Sequence, residues 1–214
     1  MIIGFCGLAG AGKDTTANFI QELYPNKFER LAFADILKDI VSIAFGWDRK
    51  LLQGDTEESR KFREIKDDFW GITPRLALQK VGTECFRNII DNNFWVKALQ
   101  KKILDNPTKN YLITDVRFPN EVAVIKLLGG QVWRVQRNPS DPEWWETATK
   151  ANGYGCLNKQ EQETAQSMMK NLYSHIHTSE WALAGFHNID KVVENYGTLD
   201  DLKSLVKMYF NILQ

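Results

Sequence analysis

The sequence predicts an α/β fold: a mostly parallel sheet of about five strands, with helices on both faces and an insertion over the strand ends. Three observations predict it. Short apolar runs alternate with helix-patterned stretches along most of the 214 residues, the rhythm of strands joined by crossover helices. The first run, Ile2-Ile3-Gly4-Phe5-Cys6, passes directly through a glycine-rich turn, Gly7-Leu8-Ala9-Gly10-Ala11-Gly12, into a helix pattern. Residues 138–180 break the rhythm between two strands, so they are expected to project over the sheet edge as a lid.

Apolar run, glycine turn and helix together are the layout of a phosphate-binding loop. Glycines let the backbone curl around phosphates with N–H groups pointing inward. The helix that follows turns its positive end to the same anion, and Lys13 adds a full charge. Gly10, Ala11, Gly12, Lys13, Asp14, Thr15 and Thr16 are therefore the candidate nucleotide-binding residues. The usual pattern has Ser or Thr directly after the lysine, to hold magnesium. Here that position is Asp14, and Thr15 comes one later. A dinucleotide-binding turn does not fit, because no G-x-G-x-x-G can be read across Gly4, Gly7, Gly10 and Gly12. The fold class narrows to the three-layer P-loop NTPase type.

Composition sets outer bounds. Residues 1–214 suffice for a single α/β domain with an inserted lobe. Lys plus Arg equals Asp plus Glu, 27 each, so no overall field draws in nucleic acid and phosphate binding falls to local clusters. Cys6, Cys85 and Cys156 are widely separated and odd in number, which suggests no disulfide framework and fits a reducing cytoplasm. The first apolar run lacks a basic leader and is too short for a signal peptide. No stretch approaches the length of a membrane span.

Taken in order, Ala17, Ile20 and Leu23 continue the first helix, and Pro25-Asn26 stops it. Residues 28–33 read as a strand. A helix follows from Ala34, carrying Asp35 and Lys38 on its first turns and closing at Gly46. Residues 47–72 are less patterned, and the mixed charges at 57–64 read as a solvated helix face, with Arg60 or Arg63 a lesser candidate for substrate contact. Thr73-Pro74 is an N-cap followed by proline, opening a helix expected to run to Ile90. Leu78, Val81, Cys85 and Ile89 form its apolar stripe, while Arg75, Gln79, Thr83 and Arg87 lie at four-residue steps on another face. Trp95 starts the next helix, where an aromatic is by default core. Residues 111–114 form a buried strand with Asp115 and Arg117 at its exit, where a P-loop protein places its magnesium-side carboxylate. A helix from Glu121 to Leu128, a strand at 132–137 ending on Arg137, and a polar helix around 160–172 follow. His175, His177 and Glu180 lack the spacing of a metal site. A last strand at 188–193 precedes a helix capped by Gly197-Thr198.

With those residues in hand, the chain resembles the deoxynucleoside monophosphate kinases of tailed bacteriophages. The resemblance is carried by Gly12-Lys13-Asp14-Thr15-Thr16-Ala17, the run from Leu31 to Asp39, Leu78-Gln79-Lys80-Val81-Gly82-Thr83-Glu84 and Trp95-Val96-Lys97. Thr114-Asp115-Val116-Arg117, His177-Thr178-Ser179-Glu180 and Asn195-Tyr196-Gly197-Thr198-Leu199 complete it, in the family's order along nearly the whole chain. It implies ATP-dependent, Mg²⁺-dependent phosphorylation of a deoxynucleoside monophosphate to its diphosphate, supplying DNA precursors for phage replication in the host cytoplasm. In this reading Lys13 bridges the β- and γ-phosphates, and Asp14 and Asp115 anchor magnesium. Arg117 and Arg137 stabilise transition-state charge. Asp35, Lys38, Arg75, Gln79, Arg87 and Trp95 hold the acceptor, within a helical region of about 35–105, and the lid spans about 138–180. A homodimer is the assembly allowed for, with no nucleic acid or membrane partner. Two other classes stay open: a P-loop kinase of another small molecule, of phosphomevalonate or dephospho-coenzyme A type, and a non-catalytic nucleotide-binding regulator.

Overall fold

The computed structural model describes residues 1–211. The chain divides into two compact units, Met1–Leu31 with Thr108–Gln214, and Ala32–Pro107.

The first unit is built on a five-stranded sheet whose strands, β1 (Ile2–Cys6), β2 (Phe28–Leu31), β3 (Asn110–Ile113), β4 (Gln131–Gln136) and β5 (Lys191–Glu194), are all parallel in the order β2-β3-β1-β4-β5. Strand β1 lies at the centre and is buried along its whole length, which is why it reads as an unbroken apolar run. Its residues alternate between the two faces. Ile3 and Phe5 share a core with Ala17 and Ile20 of α1 (Lys13–Leu23) and with Val206 and Phe210 of α10 (Leu199–Asn211). Gly4 points the other way, where an added Cβ would stand 2.5 Å from Ile125 of α6 (Pro119–Leu127). The sheet is thus the middle of three layers. Because β3 and β4 flank β1 on opposite sides, the strand order reverses beside β1, and open α/β sheets hold their ligands at the C-terminal ends of the strands at such a point.

Residues 138–180 carry three helices: α7 (Trp145–Ala151), α8 (Lys159–Asn171) and α9 (Thr178–Trp181). They have a small core of their own. Ala148, Ala151, Ala165, Met169 and Ala184 are buried together, ringed by Trp144, Trp145, Tyr173 and Trp181. Alanines at these positions let α7 and α8 approach closely, while the indoles supply the area that the alanines lack.

The second unit is helical: α2 (Asp35–Phe45), α3 (Glu57–Glu64), α4 (Pro74–Gln79), its continuation at Lys80–Ile90, and α5 (Phe94–Leu104). Val41, Trp47, Leu52, Ala77 and Leu78 are its buried centre, with Leu37, Phe45 and Phe62 against them. The unpatterned residues 47–72 therefore contribute core side chains through Trp47, Leu52 and Phe62. Thr73 caps α4 as its sequence requires, its hydroxyl accepting the Leu76 N–H at 3.1 Å.

Beyond Gln79 the structure corrects the expected single α-helix. Lys80–Ile90 is wound with i→i+5 hydrogen bonds, closing on the Asp91 N–H that donates to the Phe86 carbonyl at 2.9 Å. A wider turn changes the angle per residue, so four-residue spacing no longer keeps side chains on one face. Leu78 is buried, Val81 half-buried and Cys85 exposed, and Ile89 is 79% exposed. The apolar stripe and the polar face opposite it both dissolve along this segment. Trp95 packs against this segment. It is 3% exposed, its N–H donates to the Gly82 carbonyl at 2.9 Å, and Phe86 and Phe94 each pack on its ring at 4.9 Å. The indole braces the wide helix. Trp95→Phe should keep the ring packing yet leave a buried carbonyl without its donor, a loss of about 1–2 kcal/mol. A lowered urea midpoint with unchanged slope is the expected measurement, and an unchanged midpoint would remove this role.

Candidate active site

The loop leaves β1 at Gly7 (φ 132°), turns again at Gly10 (φ 75°), and enters α1 through Gly12 (φ 99°). All three lie in the region that glycine alone adopts without strain. Gly7 is also pressed on β4, and a Cβ there would stand 2.2 Å from the Val135 carbonyl oxygen. Among the described residues no side chain caps the start of α1. The start of the helix is thus left uncapped, as an anion site requires.

Lys13 is buried, and its ammonium donates to the Gly7 carbonyl at 2.9 Å and the Leu8 carbonyl at 2.8 Å. The lysine thus closes the turn from which it grows. Burial lowers its pKa, and the nearby Arg117 guanidinium lowers it further. Arg117 follows the end of β3. It donates to Glu180 of α9 at 2.5 Å and to the Ser179 hydroxyl at 3.2 Å, and Glu180 in turn accepts the Ala9 N–H of the loop at 3.1 Å. Beside Glu180, the His177 ring nitrogen accepts the Ser179 N–H at 3.3 Å and so starts α9.

Two further residues fix this edge of the sheet. Arg30, at the end of β2, pairs with Asp14, donates to Asn18 Oδ1 at 2.7 Å and to Thr114 Oγ1 at 3.1 Å. It thereby ties the first turns of α1 to the residue before Asp115. Glu121, 1% exposed, accepts the N–H groups of Arg117 at 2.7 Å and Phe118 at 3.1 Å, holding the turn that carries Asp115 and Arg117. Cys6 is inert beneath the loop, since burial pushes its thiol up to about 11.

A glycine loop with a lysine, an uncapped helix start, and a guanidinium and carboxylate at the next strand exit are the parts of a phosphotransferase. The family described as deoxynucleotide monophosphate kinase matches residues 48–154, half of the chain. A protein of Acanthamoeba polyphaga mimivirus, provisionally described as a deoxynucleotide monophosphate kinase, is 34% identical over 152 residues, covering 64% of this chain and 74% of that one. The chain belongs to the deoxynucleotide monophosphate kinase family. The deoxynucleoside-5'-monophosphate kinase of Escherichia phage T5 is 26% identical over 179 residues, covering 59% of this chain and 72% of that one. Among solved structures, dephospho-CoA kinase from Campylobacter jejuni covers 100% of this chain and 97% of its own at 12% identity, with a TM-score of 0.44. Family membership favours a nucleotide kinase over the other small-molecule kinases and over a non-catalytic regulator.

In this deoxynucleotide monophosphate kinase the structure distributes the expected site residues as follows. The loop residues from Gly10 to Thr16, with Asp115 and Arg117, lie at one edge of the sheet. Arg137 is held by the turn before α10. Its Nη1 donates to the Asn195 carbonyl at 3.1 Å, the Asn195 side chain at 3.0 Å and the Gly197 carbonyl at 3.3 Å. Asn195 then donates to the Ala11 carbonyl at 2.9 Å, so Arg137 braces the loop from behind. Asp35, Lys38, Arg75, Gln79 and Arg87 belong to the second unit. Arg49 gathers the first two: it pairs with Asp35 at 3.4 Å and Asp39 at 2.5 Å and shares Gln53 with Lys38. Arg75 is exposed and paired with Glu64, while Gln79 and Arg87 are half-buried.

The sequence reading passed over Arg30, and it named Asn195, Glu121 and Glu180 without giving them a part in the loop. Glu121 had a local signal for its part, an acid three residues into a helix that opens at Phe118-Pro119. The loop's demands are testable with two glycines. Gly10 has open space around its Cβ position, so Gly10→Ala should cost only the 1–2 kcal/mol or so of a left-handed alanine. Gly7→Ala meets a backbone carbonyl and should cost roughly a further 1–3 kcal/mol. Equal urea midpoints for the two variants would contradict the packing of the loop on β4.

Proposed function

We propose that this kinase transfers the terminal phosphate of ATP to a deoxynucleoside monophosphate, yielding the diphosphate and ADP. The observation that carries the reading is the uncapped start of α1 under the loop with Lys13 folded into it. Phosphoryl transfer asks for alignment and charge neutralisation more than for covalent chemistry. On this reading the N–H groups at residues 10–15 wrap the inner phosphates. Lys13 exchanges its two carbonyl partners for phosphate oxygens, which regains its hydrogen bonds in a site already desolvated. Arg117, held on its backbone side by Glu121, supplies charge at the transferred group.

The oxygen donors at this edge suit magnesium, which prefers hard ligands and keeps most of its waters. Arg30 contacts both Asp14 and Thr114, so the carboxylates of Asp14 and Asp115 start from neighbouring points of one network. Asp14 is 70% exposed on its side chain and can turn toward a metal–phosphate complex at the expense of its pair with Arg30. Magnesium there would neutralise phosphate charge. On the acceptor side, Asp35, Lys38, Arg75, Gln79 and Arg87 remain the proposed contacts, within a helical acceptor region of about 35–105. Residues 138–180 are the proposed lid. Its reaction partners are then a nucleoside triphosphate and a deoxynucleoside monophosphate. A cytoplasmic setting goes with that chemistry, and self-association into a homodimer is testable by sedimentation.

Release of ADP should be measured with ATP and magnesium across the four deoxynucleoside and four ribonucleoside monophosphates. Turnover with at least one deoxynucleotide is expected, and ATP-dependent turnover with none of the eight would overturn the assignment. Lys13→Ala should lower turnover on the order of 10³-fold and also reduce stability, because the loop loses two part-buried hydrogen bonds. Asp14→Ala should raise the magnesium concentration needed for half-maximal rate more than it weakens metal-free nucleotide binding.

A further inference from the structure

The donor loop is not empty of anions. Glu180 is 24% exposed on its side chain and accepts the Ala9 N–H while taking the Arg117 guanidinium. A backbone N–H of the glycine loop and an arginine at the strand exit are the donors that a phosphate oxygen needs. Burial would raise the Glu180 pKa, but Arg117, the Ala9 N–H and Lys13 outweigh it and hold the carboxyl below its usual value. The acid therefore sits in the loop as a full negative charge. It is held there by the lid segment: Ser179 bonds Arg117 next to it, and His177 fixes the turn that presents both.

Ala9 precedes in the chain the residues that lead into α1. If residues 10–15 hold the inner phosphates, the group bonded to Ala9 and Arg117 takes the place of the outermost one. We propose that Glu180 occupies the terminal-phosphate seat of the nucleotide-free kinase and selects between nucleotides, because a triphosphate must displace it and a diphosphate need not. The inference rests on the reading of this loop as the donor site. A carboxylate and a phosphate cannot both take the single Ala9 N–H, and their charges repel at that distance. Entry of the donor then requires Glu180 to leave Ala9, which frees α9 from the loop. Loss of the terminal phosphate to the acceptor vacates the seat, and the carboxylate returns to the same two donors.

Calorimetric titration of the full chain with the β,γ-imido analogue of ATP and with ADP, both with magnesium, tests this. Glu180→Gln keeps the shape and removes the charge. It should tighten the triphosphate analogue about tenfold and leave ADP within about twofold. If the Gln variant fails to fold by circular dichroism, Glu180→Asp carries the test, since its shorter side chain cannot reach both donors and should shift the preference the same way. Equal shifts for both nucleotides, an unchanged preference, or weaker triphosphate binding overturn the inference while leaving the donor site standing. A wild-type chain that binds neither nucleotide overturns the donor site and this inference with it.

Discussion

Gly7 has no room for a side chain, and much of the structure follows from that. The residue sits where the central strand ends, with the Val135 carbonyl of β4 directly over the position a Cβ would take. Contact this close fixes the loop against the sheet. It also commits the backbone to a left-handed bend, which Gly10 and Gly12 continue. Gly12 is pressed in the same way by Asn195, whose side chain bonds Ala11 and whose backbone is held by Arg137. The curvature that phosphates require is thus imposed from outside, by β4 and by the turn before α10. A loop shaped by its neighbours loses little entropy when a ligand arrives, which is the physical meaning of preorganisation.

Charge at the site is balanced before any ligand is present. Lys13 rests on two carbonyls, Arg117 on Glu180, and Arg30 on Asp14. Buried cations without such partners would carry a desolvation penalty that no folded chain of this size could absorb repeatedly. On the proposed reading, nucleotide binding is an exchange of partners at Lys13 and Arg117, and its net gain is smaller than the sum of the contacts made. Affinity reads the difference between phosphate and the resting partners.

What could be read from the sequence was local. The strand, glycine turn and helix lie within some twenty residues, and the caps at Thr73 and Thr198 are each set by a neighbour three residues on. The strands followed from short apolar runs, most plainly in β1, which is buried along its whole length. The missing parts were long-range. Glu180 meets Ala9 across 171 residues and Asn195 meets Ala11 across 184, and nothing near either residue in the sequence marks the pairing. Arg137 and Trp95 were given ligand roles because cations and aromatics at element ends often have them. In each case the structure adds a bond from the polar group to a backbone carbonyl. Periodicity also failed at 80–90, since a 3.6-residue template assumes the winding that this segment abandons.

That segment bears on how an acceptor would be read. An extended i→i+5 winding is less favourable than the α-helix it replaces and persists only where its surroundings hold it. Here Trp95 supplies the hold, through its bond to the Gly82 carbonyl and its packing on Phe86. Gly82 is itself confined by Leu37 of α2, whose terminal carbon would lie 2.7 Å from an added Cβ. Gln79 stands at the end of the regular helix, while Thr83 and Arg87 stand on the wide one. Their mutual orientation is therefore a property of the winding, and it changes if the segment relaxes to an α-helix. Trp95, by holding the winding, can in this way set how those three side chains are presented.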